Sequence, residues 1–143
     1  MLGELNHTEI ERLLRQSIIG RIGIHAFGRS YVVPVTYVYD GEAVYAHSRE
    51  GMKMHMMRAN PHVCFEVDRM DGMANWESVI AWGTFEELRG MARERALKTL
   101  VDELAPHLEG PPGSSAHPRA GDPAHLVYRI VLDEKTGRFE RRA

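Results

Sequence analysis

The chain has 143 residues, 43% hydrophobic and 27% charged, proportions that suit one globular domain with a buried core. A formal charge of -2 and an isoelectric point near 6.4 give no reason to expect nucleic acid or an anionic membrane as partner. No apolar run reaches the ~18 residues that span a bilayer, "MLGELNHTEI" has no basic region ahead of an apolar stretch, and Cys64 is the single cysteine, which excludes an intrachain disulfide; these features point to the cytoplasm.

In chain order, "LNHTEIERLLRQ" reads as a short amphipathic helix with Asn6 or Thr8 as N-cap and Ile10, Leu13 and Leu14 on one face. The period then changes to two. "RIGIHA" is a strand, "FGRS" a turn, and "YVVPVTYVY" a strand rich in β-branched and aromatic residues. Asp40-Gly41 is a hairpin signal of the two-residue type I′ kind, which needs positive φ at both central residues. "EAVYAH" returns, and residues 49–60 form a helix that ends at Asn60, because Pro61 disfavours α geometry at the residue before it. "HVCFEVD" is the next strand, "RMDGMANW" a loop, and "SVIAWGTFEEL" a long strand with a bulge or close approach at Gly83. "MARERALKTLVDELAPH" is the clearest helix, burying Leu97, Leu100, Val101 and Leu104. Residues 109–123 are rich in Pro, Gly and Ser and read as a surface loop that folding does not need. "HLVYRIVL" is the last strand, before a turn at Lys135-Thr136-Gly137 and a basic tail. About six strands joined mostly by short turns, with two or three helices between them, make the fold mainly β, an antiparallel barrel flanked by helices.

Three features can carry chemistry. Ser48, Gly51 and Lys53 bracket the start of a helix, where unpaired N–H groups and a partial positive charge attract phosphate; the alternative is a helix capped by Ser48 with Lys53 in solvent. Pro34 removes a ladder donor from its strand and marks either an edge or a bulge, with Thr36 beside it. His47, His55 and His62 lie close in sequence, but no HxxxH or HExxH spacing occurs and no cysteine pair accompanies them, so no metal is expected. Met52, Met54, Met56 and Met57 read as core filler, two of them buried under a helix pressed onto the barrel. Nucleophile elbow, paired-carboxylate motif and Rossmann glycines are all missing, so an enzyme of this sequence would rely on a cofactor.

The run "GRIGIHAFGRSYVVPVTYVYDGEAVYAHSREGMKMHMMRANPHVCFEVD" resembles the pyridoxamine 5′-phosphate oxidase-like, FMN-binding split-barrel proteins, and among them the nitroimidazole-resistance (Nim) type. "WESVIAWGTFEEL" and "VYRIVLDEKTGR" are similar to that family's later strands, and the likeness covers about residues 4–138. It implies a six-stranded antiparallel split β-barrel with a few flanking α-helices that binds FMN at a homodimer interface. By position, Val33, Pro34, Val35 and Thr36 would meet the isoalloxazine with backbone groups. Tyr45, Ala46, His47 and Ser48 would line the ribityl chain and phosphate, and Lys53 would pair with the phosphate; Trp76 and Ser78 would approach from the partner chain. Met52 stands where vitamin B6 oxidases carry the Arg of an Arg-Lys pair, and the end "RFERRA" lacks their substrate-holding Arg and Trp, which counts against vitamin B6 oxidation. The expectation is an FMN-dependent reductase of small electron-poor, nitroaromatic-like molecules, with His47 as catalytic proton donor. The alternatives are a flavin- or haem-binding protein without catalysis and a deazaflavin (F420) user.

Overall fold

The computed structural model describes residues 1–107 and 125–142, and among them eight strands form one antiparallel sheet. The chain runs β1 (Leu2–Glu4), α1 (His7–Gln16), β2 (Ile19–Ala26), β3 (Arg29–Thr36), β4 (Val38–Tyr39), β5 (Ala43–Ser48), α2 (Met52–Ala59), β6 (His62–Gly72), β7 (Asn75–Glu87), α3 (Gly90–Leu104) and β8 (Leu126–Glu140), with a 3₁₀ turn at Ala105–His107. The sheet order is β3-β2-β6-β7-β8-β5-β4, with β1 added on β8. Residues 109–123, expected as a dispensable loop, lie outside the described residues.

The sheet has two more strands than the six expected. "YVVPVTYVY" divides at Tyr37 into β3, which pairs with β2, and β4, which pairs with β5; β1 is the other addition. This division shapes the molecule. β3 and β4 are the two ends of the sheet, yet only Tyr37 separates them in the chain, so the sheet has to curl into a barrel. Tyr37 is buried, its N–H donates to Ile18 O (3.0 Å) and its hydroxyl to Leu14 O (2.7 Å), and its ring meets the edge of Phe65. The ladders part there and the barrel stays split.

Asn6, the N-cap, accepts from the Glu9 N–H while Glu9 accepts from the Asn6 N–H, a reciprocal capping box. α1 then lays Ile10, Leu13 and Leu14 on the barrel core. Its outer side is tied by the Tyr39 hydroxyl, which donates to Glu11 (2.9 Å), and by Lys135, whose ammonium donates to both (3.0 and 2.8 Å). α2 contributes three buried methionines, Met54, Met56 and Met57, rather than two. A second apolar cluster sits outside the barrel, where Ala96, Leu97, Leu100 and Leu104 of α3 meet Val38, Leu88 and Val127. β5 is therefore covered on both faces, which is why "AVYA" reads as a continuous apolar run.

Other expectations shift locally. The turn after β2 centres on Phe27 and Gly28, both with positive φ (56° and 70°), as a type I′ turn requires. The Asp40-Gly41 hairpin is present, but its central residues are Gly41 and Glu42, and Asp40 Oδ1 accepts the N–H groups of Glu42 and Ala43; positive φ occurs at Gly41 and not at Glu42, so the turn is not type I′. Most of "RMDGMANW" is strand, since β6 and β7 zip together up to Met73-Ala74. Lys135-Thr136-Gly137 is no turn either: β8 passes straight through, paired with Ala81, Ile80 and Val79. The irregularity lies at Gly83, where the register jumps from Trp82–Glu134 to Gly83–Leu132 and leaves Asp133 as the extra residue of a bulge. Pro34 shows no bulge. β2–β3 pairing is continuous, and Pro34 sits on an edge strand, which tolerates its missing donor.

Candidate functional site

The split is the place to build from. Val38 opposite Tyr45 is one of the two rungs joining β4 to β5 and the one nearer Tyr37. Beyond it Ala46, His47 and Ser48 pair only with β8 (Tyr128, Val127, Leu126), and Val33–Thr36 pair only with β2. Each segment has one edge without a strand partner among the described residues. The two edges diverge from Tyr37 and present backbone N–H and C=O groups, the pattern that elsewhere accepts an added strand or a flat polar ligand.

β5 delivers the chain from this edge to α2. The α2 N-cap is Gly51, with no side-chain cap and no acidic residue in the first turn. The capping alternative for Ser48 is set aside, because its hydroxyl donates to Arg49 O (2.8 Å). The first-turn N–H groups thus keep their positive end of the helix dipole. Lys53 stands in that turn, half-buried, with neither ion pair nor hydrogen bond among the described residues, and burial pushes its pKa down. The turn ahead is held by charge: Arg58 donates to Glu50 (2.5 Å) and to Glu87 (2.6 Å), and Arg89 also donates to Glu87 (2.6 Å).

His47 lies beside Lys53. Burial, the nearby His125 and the Lys53 charge, in that order, lower its pKa to about 4, so the ring is neutral at pH 7. Its Nδ1 is 2.6 Å from Nε2 of His125, a residue only 7% exposed. A half-buried ammonium without a counter-ion, an uncapped helix start and an imidazole together form a corner suited to a phosphate-like anion.

The sequence-predicted residues divide into three groups. Ala46, His47, Ser48 and Lys53 meet at this corner, Ala46 through its backbone because its side chain is buried in the core. Val33, Pro34, Val35 and Thr36 supply the facing edge; Val33 and Val35 point into the core, and Pro34 and Thr36 are exposed. Tyr45 offers its backbone at the edge, but its side chain packs against α3, and its hydroxyl, between Arg129 and Asp40, lines a separate cleft of about 580 Å³. Trp76 and Ser78 are not brought to the corner within one chain. Ser48 faces Leu126 at one end of β8, whereas Ser78 faces Arg138 and Trp76 faces Glu140 at the other. Sequence reasoning missed His125 and the Glu50–Arg58–Glu87 clamp. No local spacing marks them, and only the β5–β8 register brings His125 to His47.

In the comparisons, the chain is similar to an FAD-binding protein from Mesorhizobium loti, at 28% identity with 99% of each chain covered and a TM-score of 0.77. A relative from Rhizobium meliloti, described as uncharacterized, is 28% identical over 139 residues, 94% of this chain and 92% of its own length. A candidate 5-nitroimidazole antibiotic resistance protein from Bacteroides thetaiotaomicron shares the fold at 23% identity and a TM-score of 0.72, over 97% of this chain and 87% of that one. Residues 6–139, nearly the whole chain, match the family described as pyridoxamine 5'-phosphate oxidase, and the protein belongs to that family.

Proposed function

We infer that the protein binds FMN in the split between β3 and β5 and uses it as an oxidoreductase of small electron-poor, nitroaromatic-like molecules. The observation that carries this is Lys53: an ammonium that is half-buried, unpaired among the described residues and set in the first turn of an uncapped helix. Such a charge is costly to hold unless an anion completes the site. The likeness to the FAD-binding protein of Mesorhizobium loti supports a flavin. FMN is the choice over FAD because a terminal phosphate monoester has the charge that the corner complements.

The edge of β3 over Val33–Thr36 and the edge of β5 over Ala46–Ser48 orient a flat ring system by backbone hydrogen bonds. When bound, the flavin supplies hydride transfer. His47, neutral in the free protein, offers one N–H, and an anion at the corner raises its proton affinity, so it is the group proposed to hold a proton for the substrate. A second copy of the chain belongs to the proposal. Trp76 and Ser78 would reach the corner from another protomer, and the outer face of β3-β2-β6-β7 exposes Ile19, Val32, Ile80 and Trp82, with Val32 and Trp82 lining a groove of about 500 Å³.

Fluorescence titration of flavin-free protein tests the reading. Lys53→Ala removes a charged hydrogen bond of about 1.5–3 kcal/mol, so FMN binds roughly 10- to 150-fold more weakly at ~1.4 kcal/mol per decade. Riboflavin, which lacks the phosphate, keeps its affinity. Equal weakening of both ligands, or release of a different cofactor detected by mass spectrometry of fresh protein, overturns it.

A further inference from the structure

The contact between His47 and His125 reaches beyond the sequence motifs. His125 precedes β8, one residue before the Ser48–Leu126 rung, and its ring lies 4.6 Å from that of His47, centroid to centroid, with the planes at 32°. Arg93 of α3 donates to the His125 carbonyl (2.8 Å), so this backbone is tied to the helix outside the barrel. A hydrogen bond between two imidazoles takes one N–H and one lone pair, so the neutral His47 ring is confined to the tautomer that His125 permits.

With Nδ1 engaged at 2.6 Å, His47 has only Nε2 left for a ligand, so the ring serves either the substrate proton or the corner anion, and here it is assigned to the anion. The neighbouring Lys53 ammonium and the positive start of α2 both invite an anion. A neutral ring facing an anion has to present N–H and not a lone pair, and Nε2 carries the hydrogen only if Nδ1 is the acceptor.

We propose that His125 is a positioning residue that acts through His47: it donates its Nε2–H to His47 Nδ1, holds His47 as the Nε2–H tautomer, and so adds a donor to Lys53 and the α2 N–H groups. The direction of this hydrogen bond follows from an anion at the corner and so rests on the flavin-phosphate reading; the contact between the rings does not, and the tautomer can be measured without any ligand. His125 touches no ligand in this scheme. Its counterpart is the partner that fixes the other nitrogen of a ligand-binding histidine in many sites, here a second imidazole in place of a carboxylate.

Long-range ¹H–¹⁵N correlation of the imidazoles at neutral pH reads the tautomer directly, without flavin. Wild-type His47 is expected to show an unprotonated Nδ1 and a protonated Nε2. His125→Phe keeps a buried ring but no donor, and His47 then averages between tautomers; His125→Gln keeps an N–H and retains much of the bias. In titrations, His125→Phe weakens FMN about 2- to 10-fold, leaves riboflavin unchanged, and is rescued by Gln. A wild-type His47 protonated on Nδ1, a tautomer still fixed in His125→Phe, or an FMN affinity indifferent to that variant overturns the proposal. The expected tautomers in a protein that binds neither FMN nor riboflavin overturn the flavin reading and the proposed purpose of the donor, and leave the tautomer assignment itself standing.

Discussion

His47 shows how far an environment changes a side chain. In an unfolded chain its pKa is about 6.5; in the fold, burial first, then His125 and Lys53, bring it to about 4. Above pH 6.5 the ring is neutral in both states and contributes no pH dependence. Between about 6.5 and 4 the unfolded chain takes up a proton that the folded chain refuses, so stability falls as pH falls through this window. Thermal unfolding followed from pH 7 to pH 4.5 checks this: His47→Gln should flatten the slope relative to the wild type. An identical slope in the variant means that the acid sensitivity arises elsewhere. Tyr128 is a second residue set by its surroundings. Its hydroxyl is fully buried and without a partner among the described residues, and burial pushes its pKa up.

At the scale of elements, the long β7–β8 ladder depends on one glycine. A Cβ on Gly83 would run into the carbonyl oxygen of Val131, which is backbone and cannot swing away. Gly83→Ala therefore forces β8 off β7 at the bulge, an overpacking that costs about 1–3 kcal/mol and lowers the melting temperature by several degrees. Gly72, at the end of β6, is the control, with open space around its missing Cβ and an ordinary φ. Gly72→Ala should be neutral or stabilising by about 0.4–1 kcal/mol, through reduced freedom of the unfolded chain. Calorimetry of the two variants separates the ideas; equal melting temperatures remove the argument about the bulge.

For the whole molecule, the separation of Trp76 and Ser78 from the Lys53 corner is the informative distance. The two ends of β8 lie at opposite ends of the ladder within one chain, and a two-fold axis is the commonest means of bringing such ends together. The exposed apolar residues of the outer face are the surface proposed for a second copy, Val32 being 70% and Trp82 42% exposed. Sedimentation equilibrium should find a dimer at micromolar concentration, and Val32→Asp should shift it to monomer and weaken flavin binding together. A monomer that retains flavin contradicts the dimer proposal and leaves the Lys53 corner intact.

The sequence alone determined most of the elements, because their signals are local. Asn6 with Glu9 starts α1, Pro61 ends α2, and the alternation in "RIGIHA" and "HVCFEVD" sets which side chains enter the core. The order of "YAHS", Gly51 and Lys53 likewise located a helix start with Lys53 in its first turn, because that signal lies in adjacent residues. Only the tertiary structure decided the rest. The split arises at Tyr37 because β3 and β4 find partners at opposite ends of the sheet, a choice no residue within "YVVPVTYVY" announces. The extension of β6 and β7 into "RMDGMANW", up to the turn at Met73-Ala74, and strand continuity through Lys135–Gly137 came from neighbours that complete the ladders, overriding turn-forming residues. The neutral state of His47 and its contact with His125 needed the β5–β8 register, because burial and the meeting of distant side chains are properties of packing and not of sequence spacing.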